Sequence, residues 1–338
     1  MSFKTLIWFV LLTSCTYSKT PTMTTQNQSS TPNINFIKPD YLKKGDRVAI
    51  VAPAGTLQGR HKAIEKAESL LKEWGLVPIL GQHLFVQNNH FAGKDSERLS
   101  DVQWALDSAE IKAIWCARGG YGTTRIIDDL NFDRFKKAPK WIIGYSDITA
   151  IHNKLYGLGY ESIHGMMPVN AEEDYESITP SLESLKASLF GDLSKYTIAA
   201  NSNNRIGKAD GVLTGGNLTL LSAQLGSTTQ LNTKGTILFI EETGEYKYHI
   251  DRMLQSLKRA GYFEECSGVI VGDLSKIKAN PMAWGSSVEQ LIIDALKEYK
   301  FPIAFGIPAG HELDNRALIF GRKIALNVTP NKTEIAFE

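Results

Sequence analysis

Two segments place reactive or anion-holding groups where an apolar run ends. In residues 142–149, Ile-Ile-Gly-Tyr-Ser-Asp-Ile-Thr, a strand-like run meets a helical pattern and Ser146 stands at the junction. Ligands of open α/β sheets collect at the carboxyl ends of strands. The N–H groups that follow such a serine lie at the positive end of a helix, which suits a developing oxyanion. The bland alternative is a serine that only caps the helix. The elbow pattern Gly-x-Ser-x-Gly is not met, because Ile148 stands where its last glycine would be. In the second segment the apolar run 113–117 is followed by Arg118-Gly119-Gly120-Tyr121-Gly122. Glycines there allow a sharp turn that presents bare N–H groups, or else make a plain tight turn.

A nucleophilic serine needs a base, and histidine can accept and return a proton near neutral pH. Of seven histidines, His61, His83, His90 and His249 lie in or beside surface-like helices and loops, and His152 shares the helix of Ser146 but points another way. His164 follows a possible strand and stays open. His311, in the loop Gly306-Ile307-Pro308-Ala309-Gly310-His311 beyond an apolar run, is the best candidate. An acid to orient the imidazole is offered by Glu241 and Glu242 at the end of the apolar run 237–240. Either could serve, with Glu241 the nearer to the buried run.

The elements that must position these groups alternate between strand and helix. Apolar runs at 47–52, 77–80, 111–117 and 141–144 read as strands, and the patterns 61–74, 98–106, 123–130 and 147–156 as helices. Such alternation implies a mostly parallel, Rossmann-like sheet with helices on both faces. A second α/β unit has expected strands at 236–240, 268–272 and 303–306, and helices near 217–225, 248–260 and 288–299. Residues 318–337 read as a closing β segment, a hairpin. The expected organisation is an N-terminal α/β domain over 39–170, a polar connection over 171–204 with helical periodicity only at 182–189, and a C-terminal α/β domain over 205–338.

With 37 basic and 36 acidic side chains in 338 residues, the net charge of +1 gives no reason to expect nucleic acid as partner. Three cysteines in no metal-binding spacing suggest neither a disulfide framework nor a zinc site. The N-terminus carries Lys4, the apolar run 6–12 and then Thr13-Ser14-Cys15, the layout of a secretory signal peptide. Leu12-Thr13-Ser14-Cys15 also resembles a bacterial lipobox. Residues 1–15 are therefore expected to be a lipoprotein signal with Cys15 lipidated, which would anchor the chain to a membrane, and the Ser/Thr/Asn/Gln-rich stretch 16–38 a flexible tether.

From about Gly45 onward the chain resembles the LD-carboxypeptidases, serine peptidases that include the murein tetrapeptide carboxypeptidases and the microcin-immunity hydrolases. The resemblance rests on ordered blocks: Val51-Ala52-Pro53-Ala54-Gly55, Phe91-Ala92-Gly93 with Glu97-Arg98, residues 118–122, Gly144-Tyr145-Ser146-Asp147, Gly215-Gly216-Asn217-Leu218, Glu241-Glu242 with 250–254, and Gly310-His311. It implies a triad of Ser146, Glu241 and His311, backbone oxyanion donors at Gly120 and Asp147, and no metal or cofactor. The implied substrate is a peptidoglycan stem tetrapeptide, cleaved between an L-centre and a terminal D-amino acid. A homodimer is implied by resemblance alone. Asn217 is a candidate substrate contact, or else part of a tight strand-to-helix turn. Familiar members that recycle wall fragments look cytoplasmic, whereas this N-terminus implies the cell envelope. The rivals are a microcin-type amidase and a non-catalytic lipoprotein that binds wall peptides.

Overall fold

The structure, a computed structural model, describes residues 35–338; the signal and lipidation readings on residues 1–15 lie outside the described residues, as does most of the tether. In chain order the first half forms β1 (Arg47–Val51), α1 (His61–Glu73), β2 (Val77–Leu80), α2 (Asp95–Asp107), β3 (Ile111–Cys116), α3 (Asp133–Lys137), β4 (Trp141–Gly144), α4 (Thr149–Leu158), β5 (Ser162–His164) and α5 (Tyr175–Phe190). The second half forms β6 (Lys195–Ala199), β7 (Gly207–Asn217), α6 (Leu218–Ala223), β8 (Thr236–Thr243), α7 (Lys247–Arg259), β9 (Gly268–Ser275), α8 (Val288–Ala295), β10 (Ile303–Phe305), β11 (Leu318–Phe320), β12 (Lys323–Val328) and β13 (Lys332–Phe337).

The first sheet runs β11-β5-β4-β3-β1-β2, parallel except for β11 against β5. Its inner strands are largely apolar because both faces are covered. Val48, Ile50, Ala113, Trp115 and Ile143 enter one core layer, while Ala49, Val51, Ile114, Cys116 and Ile142 enter the other. The second sheet runs β10-β9-β8-β7-β12-β13-β6. Strands β10, β9, β8 and β7 pair in parallel, and the antiparallel hairpin β12–β13 continues the sheet.

Four expectations change. Within residues 171–204 the helical stretch is longer than the expected 182–189, since α5 has sixteen residues. Asp174 caps it by accepting from Ser177 N at 3.1 Å, and Ile178, Leu182, Leu185 and Leu189 pack into the first-domain core. Buried Ser181, Ser184 and Ser188 satisfy their hydroxyls internally, and these polar letters masked the helical period. Residues 123–130 form two short 3-10 turns rather than a helix. The tether ends before Pro39: Ile37 N donates to Gly159 O at 2.8 Å, and the Phe36 ring lies 4.8 Å from that of Tyr156.

The fourth change concerns Leu318–Phe320, which joins the first sheet although both flanks lie with the second. All three side chains are apolar, so the strand can bury both faces at once: Ile319 in the first-domain core, Leu318 and Phe320 in the second. Just beyond it, Arg322 grips Glu161 through two hydrogen bonds of 3.1 and 2.6 Å, with both residues buried. Breaking such a pair leaves an uncompensated buried charge, at a cost of about 3–5 kcal/mol. Arg322→Ala should therefore lower the unfolding free energy by about 3–5 kcal/mol, read as a lower midpoint in urea.

Candidate active site

Ser146 ends the connection from β4 and opens a 3-10 turn that runs into α4. Its φ of +62° is one of the few positive values among non-glycine residues described here, a conformation that costs an L-residue about 1–2 kcal/mol. The chain is thus forced through a sharp elbow that lifts Oγ clear of the sheet. Gly144 makes room for it, since a Cβ there would lie 2.8 Å from the side chain of Ile148. His152 holds the strand end below: its Nε2 donates to Gly144 O and its Nδ1 accepts from Ser162 Oγ, each at 2.8 Å. Burial pushes this imidazole down to about 4, which keeps it neutral and structural.

The second domain brings the partners. Ser146 Oγ lies 3.0 Å from His311 Nε2, and His311 Nδ1 lies 2.6 Å from Glu241 Oε2. Glu241 is fully buried, whereas the imidazole keeps an open edge. Burial alone would lower the pKa of His311, but the Glu241 charge and hydrogen bond outweigh it and raise it above the usual 6.5. The Tyr145 ring stands edge-on to the imidazole at 5.0 Å. Glu242, the other acid left open by the sequence, points elsewhere. It accepts from Thr219 N, Thr219 Oγ1, Thr243 N and Asn217 Nδ2 at 2.7–3.2 Å.

Across the cleft, Gly55 N donates to Gly119 O at 3.0 Å. A planar trans peptide then aims Gly120 N–H the opposite way. A Cβ on Gly119 would lie 3.3 Å from both Ser146 Oγ and Asp147 N, so this glycine keeps open the space beside the serine and the Asp147 amide. Asp147 braces the loop by accepting from Thr123 N at 2.8 Å, and burial raises its carboxyl above the usual range. Fully buried Arg98 donates to Pro53 O, and to Gly122 O at 2.8 Å, tying together the loops after β1 and β3.

Asn217 is buried at the end of β7 beside Glu241. Its Oδ1 accepts from Leu220 N at 3.2 Å as the cap of α6, and its Nδ2 donates to Glu242. Its backbone N donates to Thr149 Oγ1 of the first domain at 3.1 Å. A Cβ on Gly216 would sit 2.5 Å from that same hydroxyl, so this glycine lets the domains touch behind the serine. His164, left open by the sequence, lies wholly buried in β5 among Tyr145, Phe239 and Phe320, away from solvent. Cys116 is buried, and burial pushes its thiol up to about 12.

Comparison with known proteins places the chain in a family. Residues 48–165 match the family model of the LD-carboxypeptidase N-terminal domain, and residues 210–326 that of the LD-carboxypeptidase C-terminal domain. The chain belongs to the LD-carboxypeptidase family. A probable murein peptide carboxypeptidase of Bacillus subtilis is 35% identical over 307 residues, covering 90% of this chain and 95% of that protein. The murein tetrapeptide carboxypeptidase of Pseudomonas aeruginosa is 28% identical, covering 83% and 92%. Among solved structures, the muramoyltetrapeptide carboxypeptidase of Oxalobacter formigenes superposes with a TM-score of 0.76 at 25% identity, covering 86% of this chain and 98% of the other. The microcin C7 self immunity protein MccF shares the fold, with a TM-score of 0.80 at 20% identity over 89% and 99% of the two chains.

The present LD-carboxypeptidase, a hydrolase, also carries site residues that reading the sequence passed over. Asp273, near the end of β9, accepts from Glu312 N at 3.0 Å. Burial, together with the nearby Glu241 and Glu312 charges and against that hydrogen bond, pushes its carboxyl up to about 7. The strand-end reasoning that singled out Glu241 applies equally to Asp273. Arg98 stood in a family block with no role attached, and a lone arginine on an amphipathic helix gives no local sign of being buried.

Proposed function

We propose that this enzyme is a serine LD-carboxypeptidase that removes the terminal D-alanine from peptidoglycan tetrapeptides. The observation that carries the reading is the chain of 3.0 and 2.6 Å contacts from Ser146 through His311 to Glu241, made across two domains. His311 Nε2 takes the Ser146 proton as Oγ attacks the carbonyl carbon of the L,D amide. The N–H groups of Gly120 and Asp147 receive the oxyanion. Glu241 holds the Nδ1–H tautomer and balances the imidazolium, which then protonates the leaving D-alanine amine. Water, deprotonated by His311, cleaves the acyl-enzyme and frees Ser146. Asn217, with one amide hydrogen left after Glu242, supports the site and could offer that hydrogen to substrate.

The test is mass spectrometry of a purified muropeptide tetrapeptide incubated with the soluble chain from residue 35, beside Ser146→Ala. Loss of one alanine by the wild type alone is expected. Hydrolysis of an aspartyl sulfamoyl nucleoside in its place would move the assignment to the microcin-type amidase. Intact substrate in both assays, with folded protein, would leave a binding lipoprotein.

Gly119→Ala crowds the nucleophile and the oxyanion space together. The backbone at Gly119 has no positive φ and its nearest neighbours would stand 3.1 Å or more from the new methyl, so the variant should fold. The methyl occupies the space beside the Asp147 amide, and kcat is expected to fall about 10²–10³-fold, the usual effect of losing an oxyanion donor. An unchanged thermal midpoint alongside the rate loss would separate the effect from instability.

Export and anchoring rest on the first fifteen residues. A lipid on Cys15 would hold the enzyme at the envelope, where stems or released fragments are its substrates. Radiolabelled palmitate should enter the full chain in a bacterial host and not its Cys15→Ala variant, which should appear in the soluble fraction. Self-association as a homodimer is read from resemblance and is tested by sedimentation equilibrium.

A further inference from the structure

His311 sits at a handover between the two domains. The residues before it hang from the second sheet: Ile307 N donates to Val271 O at 3.1 Å and Asp273 N to Ala309 O at 2.9 Å. The residues after it hang from α5 of the first domain. Asn315 N donates to Ser181 Oγ at 2.7 Å, and that hydroxyl donates in turn to Leu313 O at 2.9 Å. Two residues further on, Ala317 N donates to Ser184 Oγ at 2.9 Å, and the chain then pairs with β5. Asn315 closes the loop on itself, since its Oδ1 accepts from Gly310 N at 3.0 Å, immediately before the histidine. Ser181 and Asn315 are 1% and 3% exposed, so water does not replace these bonds.

Helix α5 packs in the same core layer as Trp141 and Ile143 of β4, the strand that leads to Ser146. Ser181 is thus referenced to the nucleophile's own sheet while it grips the histidine's loop. We propose that Ser181, acting with Asn315, is a positioning residue that sets the reach of His311 Nε2 to Ser146 Oγ across the domain boundary. Its hydrogen bonds go to Leu313, Ser184 and Asn315, none of them a triad residue. Its effect follows from geometry, because displacing a catalytic group by about 1 Å costs up to about a hundredfold in rate. The proposal rests on the triad reading above but not on the identity of the substrate.

Ser181→Ala removes both bonds of the strap, while Ser181→Thr keeps the hydroxyl. On the tetrapeptide, Ser181→Ala should lower kcat about ten- to a hundredfold with KM within about twofold of wild type. Phosphonylation of Ser146 by a fluorophosphonate, which needs no knowledge of substrate, should slow by a similar factor, and Ser181→Thr should restore most of both. The low-field Nδ1 proton signal of His311 should shift or broaden in Ser181→Ala. Asn315→Ala, which keeps its own N–H to Ser181 but frees Gly310 N, should lose less. If Ser181→Ala fails to fold, this second variant carries the test by the same readouts. Rates within about twofold of wild type per folded molecule, or a loss explained by the unfolded fraction, would overturn the proposal. An inactive wild type on tetrapeptide, with phosphonylation still slowed in Ser181→Ala, would overturn the substrate reading and leave the strap standing.

Discussion

Ser146→Ala is expected to lower kcat for release of D-alanine by about 10⁵–10⁶, since removal of a triad serine leaves only binding and oxyanion contributions. Its folding should be unaffected, because alanine keeps the Cβ and the strained φ of +62°. Ser146→Gly is equally inactive but relaxes that strain, and should be more stable than Ser146→Ala by about 1 kcal/mol in urea unfolding. Equal stabilities for the two variants would mean that the elbow holds no strain. Residual activity above about 1% of wild type in either would remove Ser146 from the nucleophile's place.

Glu241→Gln is expected to cost about 10⁴ in kcat, because an amide can donate to Nδ1 and hold the imidazole in the tautomer that cannot accept the serine proton. The pH profile carries a second signature. In the wild type the raised pKa of His311 means that the base is protonated at low pH, so kcat/KM should rise with pH through an apparent value above 6.5. Removing the Glu241 charge leaves burial as the dominant influence, and burial disfavours the cation. The acid limb of Glu241→Gln should therefore move downward. Asp273, pushed up to about 7, titrates in the same window beside the imidazole. Asp273→Asn identifies its share of the limb: a limb unmoved by that change belongs to His311.

Residue types and their placement at strand ends carried much of the site. Ser146 after β4, the glycines after β3, the acids after β8 and a histidine beyond β10 all follow from the rule that parallel strands deliver their carboxyl ends to one side of the sheet. The alternating core layers were legible for the same reason, since a strand buried on both faces writes a continuous apolar run. Only the second half of helix α5, 182–189, was legible, because buried serines interrupt its apolar period. The short strand β11 reads as part of a local hairpin, since three apolar residues carry no mark of which sheet they join.

The α/β class, the family and a short list of reactive groups are readable from residue order alone, because these depend on local period and on residue chemistry. Only the tertiary structure chose among them. Glu241 and Glu242 are neighbours on one strand, and the pleat sends one carboxylate to His311 and the other to the cap of α6. His164 and His311 were both open, and domain packing buried the first while bringing the second to 3.0 Å from the serine. The nucleophile and its base are separated by 165 positions in the chain and come from different sheets. Their meeting depends on Gly216, Thr149, Ser181 and Asn315, whose roles are contacts across a boundary, and no local pattern encodes a contact with a residue so distant in sequence.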